Sequence, residues 1–334
     1  MKNVFLVLGM ARSGTSAVAR GLSALGIEFG DKLAPADSLW NPKGFWEDTD
    51  IVYKVNRSVM FAIDYTWKTV DWSAAFAEPN GNLMRLKKYA VNLLQQRLAT
   101  THYYGFKDPR IAKILPFWQN VFKSLPVQDH YVIVLRNPLS SAYSYQRVTG
   151  CDIETGLLLW LIMHLVPAIQ DSQGKNCIMV SFDAMMQDPY LQLARIKDFF
   201  NLPDLADANE IEVYARQFLD KKLQHYEYTR HDLLNHPAVK VTPLCIDMYD
   251  LFCQLASDEI TFESDTFQST WQILMNKYEQ QFSSIYGYME TISKRNKLFE
   301  RTLRSIHRSI PWKLTYVLRL VEDTVRTYRK KYAE

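Results

Sequence analysis

The feature that most constrains the fold is a short apolar strand followed by a glycine-rich loop and a helix. Residues 3–8 (NVFLVL) have the branched, apolar character of a buried strand, and the loop at residues 9–16 follows at once. Residues 16–25 then show helical spacing of apolar side chains and end at Gly26, a typical helix stop. In such a segment, backbone N–H groups and the helix dipole point at one place, so it predicts an anion site. The alternative is a plain strand-to-helix turn whose glycines serve tight packing.

The loop lacks the lysine of an ATP-hydrolysing P-loop. Thr15 stands at the position where that lysine would reach the β- and γ-phosphates, and the nearest cation is Arg12, three residues earlier. This argues against ordinary ATP or GTP hydrolysis but keeps the anion cradle. A P-loop kinase with a degenerate loop remains an alternative, and it would need carboxylates that hold magnesium.

Strand signals alternate with helix signals through the first two thirds of the chain. This alternation predicts an α/β fold with a central parallel sheet flanked by helices. After residue 205 the strand signals fade, so we expect a nucleotide-binding core at 1–205 and a helical region at 206–334 that completes the domain. Strands are predicted at 3–8, 103–106, 131–135 and 177–181, and helices at 16–25, 83–98, 111–122, 138–148, 152–169 and 191–200.

Composition narrows the class of protein. With 334 residues, of which 48% are hydrophobic, the chain can bury a large core, and its net charge of +3 does not by itself indicate a nucleic-acid partner. The four cysteines form no CxxC pair and no zinc-ligand spacing, which predicts reduced thiols and no metal site. The longest apolar run, residues 157–169, is too short for a membrane span, and no export signal precedes it. We therefore expect a cytoplasmic protein.

The C-terminal residues 294–334 are strongly basic. They contain twelve Lys or Arg and four acidic residues, a net charge of +8, so the rest of the chain carries −5. Apolar residues recur there at helical spacing, interrupted by Pro311. One interpretation is an amphipathic helix lying on an anionic membrane or against a partner, which would make the protein a peripheral membrane protein or a non-catalytic membrane-associated module. The other is a C-terminal helix packed on the domain with a solvated basic face.

Two other predicted strands end in residues suited to anion binding. Lys107 directly follows the strand at 103–106 and precedes Asp108 and a proline. Arg136 closes the strand at 131–135, and Ser144 lies eight residues later on the predicted helix. Taken singly, these also fit a surface lysine at a turn or an arginine paired with a carboxylate. Together with the loop at residues 9–16, however, Arg136 and Ser144 give two phosphate-binding positions after two parallel strands, which fit a nucleotide with phosphate at both ends.

These elements, in this order, resemble the sulfotransferases that use 3′-phosphoadenosine 5′-phosphosulfate (PAPS). Arg12, Ser13, Gly14 and Thr15 match the basic residue followed by Ser-Gly-Thr in the 5′-phosphosulfate loop of that family. The resemblance covers residues 1–205. It implies that the backbone N–H groups of Ser13, Gly14, Thr15 and Ser16 hold the 5′-phosphosulfate, with PAPS as co-substrate and no metal.

The resemblance also implies roles for the remaining positions. Arg136 and Ser144 would hold the 3′-phosphate of the nucleotide, while Arg12 and Lys107 would stabilise charge at the sulfuryl group and the bridging oxygen. The reaction would transfer a sulfuryl group to a hydroxyl or amine of an acceptor, such as a carbohydrate, lipid or small metabolite. No nucleic-acid partner is implied.

The acceptor must lose a proton, and the resemblance implies a His or Glu as general base. The cytosolic branch has a histidine shortly after the lysine, where this chain has Asp108 and a proline, and no late G-x-x-G-x-x-K segment is present. The chain is therefore more similar to the bacterial and tyrosylprotein-type branch, whose glutamate follows the first helix. Glu47 lies in that region, and Asp48, Asp108 and Glu28 compete for the role. Glu47 also fits a residue that starts a helix near position 49.

Overall fold

The computed structural model of the chain describes residues 1–63, 76, 81–205, 207–283, 302 and 305. The chain divides into two compact units, Met1–Gln281 and Phe282–Glu334. The candidate site lies wholly within the first unit. The basic segment predicted at 294–334 lies outside the described residues except at 302 and 305.

A four-stranded parallel sheet forms the centre of the first unit and confirms the predicted fold class. The strand order is β2-β1-β3-β4, so the first strand lies inside the sheet with a neighbour on each side. Val4 to Leu8 are completely buried, as expected for a central strand of a sheet covered on both faces. The strands are β1 (Lys2–Leu8), β2 (Tyr103–Lys107), β3 (Val127–Leu135) and β4 (Asn176–Ser181).

Helices flank the sheet and continue beyond residue 205. Among the described residues after 205 there is no strand, and residues 265–281 are also helical. The helices are α1 (Thr15–Ala24), α2 (Arg57–Ala62), α3 (Gly81–Arg97), α4 (Leu115–Phe122), α5 (Pro138–Thr149), α6 (Ile153–Leu158), α7 (Val166–Ser172), α8 (Phe182–Gln187), α9 (Pro189–Phe199), α10 (Ala208–Val213), α11 (Arg230–Asn235) and α12 (Leu244–Ala256). A π-helical stretch, Asp50–Asn56, leads into α2.

One face of the sheet packs on α1, α8 and α9. Phe5 and Val7 of β1 contact the buried side chains Val18 and Leu22 of α1 within one apolar cluster. Burying a side chain of this size contributes roughly 1.5–3 kcal/mol. The packing therefore holds the N-terminus of α1, and with it the loop at residues 9–14, at a defined place on the sheet edge.

The predicted helix at 111–122 is wrong in one respect, because it is two helices. A 3₁₀ turn, Ile111–Lys113, is followed by a break at Ile114, where φ is −120°, and then by α4. Pro116 lies in the first turn of α4, where no intrahelical hydrogen bond needs its missing N–H. Inside one continuous helix over 111–122, the same proline would remove a backbone hydrogen bond.

The helical segment Ile153–Ser172 is longer than its apolar run at 157–169 predicts. It comprises α6, a π-helical stretch (Leu159–Leu165) and α7, and its polar ends extend it beyond the run. By length and composition this segment could cross a membrane, contrary to the prediction from the run alone. Of its most apolar window, 72% is buried inside the molecule, and the core helix of a soluble protein meets the same criteria.

Candidate functional site

The carboxyl ends of the strands bring the predicted site residues to one edge of the sheet. Gly9 follows β1, Lys107 ends β2, Arg136 follows β3 and Phe182 follows β4. Ligands of parallel α/β sheets bind at this edge. A cavity of about 950 Å³ is found here, and all the predicted site residues except Ser13 line it. These lining residues are Arg12, Gly14, Thr15, Ser16, Glu47, Lys107, Arg136 and Ser144.

The loop presents four unused backbone donors to the cavity. No carbonyl group among the described residues accepts a hydrogen bond from the N–H of Gly14, Thr15, Ser16 or Ala17, and the first intrahelical bond of α1 runs from Val18 to Gly14. Gly14 caps α1 in the left-handed conformation, with φ +91°. Free N–H groups at the start of a ten-residue helix are the donors an anion requires.

Ser13 differs from its predicted role. Its N–H donates to the Met10 carbonyl at 3.1 Å, and its hydroxyl donates to the same oxygen at 2.6 Å. Ser13 is completely buried and holds the turn together, because both of its donors are used within the loop. Ala17, which the sequence did not single out, supplies the free N–H in its place.

Arg12 and Ser144, which come from separate parts of the chain, are in direct contact. Arg12 Nε donates to Ser144 Oγ at 3.3 Å, and Arg12 Nη1 donates to the carbonyl of Trp40. Arg12 has a φ of +72°, a conformation that non-glycine residues seldom adopt and that clusters at functional sites. The strained backbone turns this side chain toward α5 and the cavity.

Arg136 lines the cavity, and two of its guanidinium nitrogens bond to backbone carbonyl groups. Its Nη1 donates to the carbonyl of Arg12 at 2.9 Å, and its Nη2 donates to the carbonyl of Tyr226 at 2.7 Å. Its Nε is buried and has no partner among the described residues. The guanidinium lies 4.9 Å from the centre of the Phe182 ring, and burial lowers its pKa to about 10. Backbone carbonyl groups therefore take one N–H from each Nη atom, and the contact of Arg136 with a phosphate stays a prediction.

Lys107 and Glu47 form a buried ion pair beside the loop. Lys107 Nζ lies 2.7 Å from Glu47 Oε1, 3.1 Å from the Phe45 carbonyl and 3.2 Å from Ser16 Oγ. Lys107 is 3% exposed and Glu47 9%. Burial raises the pKa of the Glu47 carboxyl, and this effect outweighs the lowering by the Lys107 ammonium. A carboxylic acid of raised pKa next to a cation and an anion cradle is suited to proton transfer.

The carboxylates that competed with Glu47 have other positions. The Asp48 carboxylate is buried and accepts two hydrogen bonds from Arg97, at 2.7 and 3.2 Å. Asp108 lines the cavity, but its Oδ1 accepts from Arg110 Nε at 2.7 Å. Glu28 is exposed and is not among the cavity-lining residues. Glu47 is therefore the competitor that both lines the cavity and contacts Lys107.

The loop at residues 34–47 covers part of the site. Ser16 Oγ donates to the Phe45 carbonyl at 3.0 Å and accepts from Asn41 Nδ2 at 2.9 Å. The Phe45 carbonyl therefore contacts the Ser16 hydroxyl, and the Trp40 carbonyl contacts the Arg12 guanidinium. The sequence motifs did not predict these contacts.

A second wall comes from a part of the chain that no sequence motif marked. Residues 218–220 and 223–225 line the cavity, and the next residue, Tyr226, accepts the bond from Arg136. The lining as a whole is cationic, with seven Lys or Arg against four Asp or Glu. No group of three or more His, Cys, Asp or Glu in the described part of the chain could hold a metal ion. The basic lining residues are Arg12, Lys43, Arg57, Lys107, Arg110, Arg136 and Arg147, and the acidic ones are Asp37, Glu47, Asp108 and Asp220.

Comparison with known proteins gives structural likenesses only. No family model matches the chain, and no curated protein matches it. The structure is similar to the sulfotransferase domain from the curacin biosynthetic pathway, with a TM-score of 0.37 and 15% identity over 65% of this chain and 78% of that domain. It is also similar to the sulfotransferase domain from the Synechococcus PCC 7002 olefin synthase, with a TM-score of 0.38 and 15% identity over 83% of this chain and 96% of that domain. Likenesses at these TM-scores carry no argument about function, which rests on the residues of the site.

Proposed function

We propose that the protein is a sulfotransferase that moves a sulfuryl group from PAPS to a hydroxyl or amine of an acceptor. The observation that carries this proposal is the buried Lys107–Glu47 pair, 2.7 Å apart, in contact with Ser16 at the anion cradle. A cation for the leaving group and a base for the acceptor thus lie next to the free N–H groups of α1. The resemblance of the sequence motifs to PAPS-dependent enzymes supports the same reaction.

The donor would be held by its charged ends. The N–H groups of Gly14 to Ala17 and the Arg12 guanidinium would bind the 5′-phosphosulfate, because they combine the helix dipole with a fixed cation. Ser144, already in contact with Arg12, would donate to the 3′-phosphate. Arg136 would add its positive charge there and hold the loop in shape, since carbonyl groups occupy both of its Nη atoms.

The transfer step follows from the chemistry of the sulfate group. The acceptor oxygen attacks sulfur and gives its proton to Glu47, while the bond between sulfur and the bridging oxygen breaks. The electron pair stays on the 5′-phosphate of adenosine 3′,5′-bisphosphate, where the Lys107 ammonium stabilises the developing charge. Positioning and electrostatics would supply most of the rate enhancement, as in phosphoryl transfer.

Because of the ion pair, the basicity of Glu47 would depend on whether PAPS is bound. If the Lys107 ammonium turns to the bridging oxygen when PAPS binds, Glu47 loses the cation that lowers its pKa. The carboxylate then becomes a stronger base at the moment the acceptor needs one. This coupling would limit loss of the proton from the acceptor to complexes in which the donor is in place.

The test is sulfuryl transfer from radiolabelled PAPS to a panel of hydroxyl compounds, with Glu47→Gln and Glu28→Gln compared with wild type. We expect Glu47→Gln to lower the transfer rate about 10²–10⁴-fold, the usual contribution of a general base, while binding of adenosine 3′,5′-bisphosphate is kept. Glu28→Gln, which changes an exposed carboxylate away from the cavity, should leave the rate unchanged. The wild-type rate should fall on the acid side with a midpoint above 4.5, because burial raises the pKa of Glu47. Transfer at the wild-type rate by Glu47→Gln would exclude this role.

A further inference from the structure

Two arginines on one wall of the cavity have no part in the proposed transfer step. Arg57 begins α2, and Arg110 immediately precedes the 3₁₀ turn Ile111–Lys113; both line the cavity. The Arg57 guanidinium lies 4.4 Å from the centre of the Tyr53 ring, a stacking distance for these groups. Arg57 is exposed and forms no ion pair with any of the described residues.

Arg110 is held in a fixed orientation by a buried network. Its Nε and its backbone N–H both donate to Asp108 Oδ1, at 2.7 and 2.9 Å. The other oxygen of Asp108 accepts from Asn56 Nδ2 at 2.9 Å, and Asn56 Oδ1 accepts from Trp118 Nε1 at 2.9 Å. Asp108, Asn56 and Trp118 are completely buried. The Asp108 carboxylate bonds to Nε of Arg110 and not to its Nη atoms. The Nη atoms have no acceptor in the part of the chain that the structure describes.

The same network links Arg110 to Arg57. Asn56, the residue before Arg57, bonds to the Asp108 carboxylate that also holds Arg110. The Tyr53 hydroxyl lies within electrostatic reach of Arg110, and its ring lies beneath Arg57. Tyr53, Arg57 and Arg110 therefore form one group, which we call the arginine wall.

The arginine wall is separate from the cations proposed for the donor. Arg110 lies within electrostatic reach of Asp108, Glu47 and Lys113. Arg12 instead lies within electrostatic reach of Arg136 and Arg147. Glu47 thus lies within electrostatic reach of Arg110, while its partner Lys107 contacts Ser16 of the anion-binding loop. An acceptor that reaches Glu47 through this cavity shares it with Arg57 and Arg110, which line it as well.

We propose that the acceptor is an anionic hydroxyl or amine compound whose carboxylate, phosphate or sulfate group binds to Arg57 and Arg110. This inference rests on the proposed function and adds the substrate class. Free guanidinium nitrogens form strong, charge-assisted bonds with planar or tetrahedral oxyanions. Such an anion pairs with the charge of Arg57 and with the free Nη atoms of Arg110, and it anchors the hydroxyl group next to Glu47.

The test compares acceptors that differ in one anionic group. Glucose, glucuronate and glucose 6-phosphate form one set, and tyrosol and 4-hydroxyphenylacetate form another. Each is titrated calorimetrically into the protein alone and into the protein saturated with adenosine 3′,5′-bisphosphate. The variant is Arg57→Gln, and the matched control is Arg85→Gln, an exposed arginine on α3 that does not line the cavity. The carboxylate and phosphate members show which oxyanion the wall prefers.

We expect at least one anionic member to bind about tenfold or more tightly than its neutral partner. Arg57→Gln should lower that ratio by about tenfold, while Arg85→Gln leaves it unchanged. Equal affinity for neutral and anionic members, no binding by any anionic member, or an unchanged ratio in Arg57→Gln would each overturn the proposal. Binding of adenosine 3′,5′-bisphosphate is measured separately, so absence of nucleotide binding would show that the proposed function is wrong. The titrations of the protein alone would still test whether the arginine wall binds anionic compounds.

Discussion

The conformation of the anion-binding loop depends on Gly14, which has a φ of +91°. A Cβ atom at this position would lie 2.0 Å from Cδ2 of Phe182, the residue that follows β4. An alanine would therefore meet two penalties, the left-handed backbone and a ring packed in the core. The Phe182 ring also lies beneath Arg136, so a shift of the ring would disturb the guanidinium that holds the loop.

We expect Gly14→Ala to destabilise the protein by more than the 1–2 kcal/mol of a left-handed alanine and to abolish binding of adenosine 3′,5′-bisphosphate. The matched control is Gly44→Ala, because Gly44 has a similar φ of +87° but no atom within 4 Å of an added Cβ. That variant should lose only about 1–2 kcal/mol and keep nucleotide binding. Urea denaturation and calorimetry measure both effects. Equal stability losses in the two variants would contradict the account of the Phe182 contact.

For single residues, the sequence predicted which ones line the cavity but not which contacts each side chain makes. Arg12, Lys107 and Ser144 come together from three distant segments, because each follows or lies near the end of a parallel strand. The occupation of Arg136 by two carbonyl groups was not predictable, since one of them belongs to Tyr226, whose segment carries no motif. The choice of Glu47 over Asp48 likewise depends on contacts made only in the folded chain.

At the scale of elements, α7 contains a half-buried carboxyl group, that of Asp171, which the site does not use. Asp171 Oδ2 is buried and has no hydrogen-bond partner among the described residues, and burial raises its pKa to about 6 from 3.8. The Asp171 carbonyl accepts from Gln119 Nε2 of α4, at 2.6 Å, so the residue lies where the two helices meet. A group with a higher pKa in the folded state binds more protons there than in the unfolded state. Stability is therefore lost as pH rises from about 4 to about 6.

We expect Asp171→Asn to raise the free energy of unfolding by about 1–3 kcal/mol at pH 8, where the wild-type carboxylate is charged. At pH 4 the wild-type group is neutral in the folded protein, so the variant and wild type should have nearly equal stability. Urea denaturation at the two pH values measures the difference. If the variant is less stable than wild type at pH 8, the expectation is wrong. The charged Asp171 carboxylate would then make an interaction whose free energy exceeds the cost of its desolvation.

The predictability of the elements follows from their hydrophobic patterns. All four strands were predicted, because their centres are short apolar runs bounded by polar or glycine residues. The beginning of β3 was missed, since residues 128–130 are polar; there His130 bonds to Asn3 of β1 and stacks on Phe5. The break at Ile114 was missed because apolar spacing continues through it, and only Pro116 marks the new start.

At the scale of the whole molecule, the cavity is assembled from segments far apart in the chain. The cavity is lined by the loop after β1, the ends of β2 and β3, the covering loop at 34–47, and the wall at 218–220 and 223–225. The parallel sheet explains the first three, because its topology places strand ends at one edge. The covering loop and the wall reach the cavity through contacts between irregular segments, and such segments have no periodic pattern in the sequence.

We propose that this cavity binds a nucleotide with phosphates at both ends. Calorimetric titration with adenosine 3′,5′-bisphosphate, against AMP and against ATP with magnesium, tests it most directly. We expect the bisphosphate to bind most tightly, and Arg12→Gln to weaken it about tenfold or more through loss of a charge-assisted contact, while Arg85→Gln binds like wild type. Preference for ATP with magnesium would favour the kinase alternative. A folded protein that binds none of these nucleotides but sediments with anionic liposomes would contradict the claim and favour a membrane-associated module.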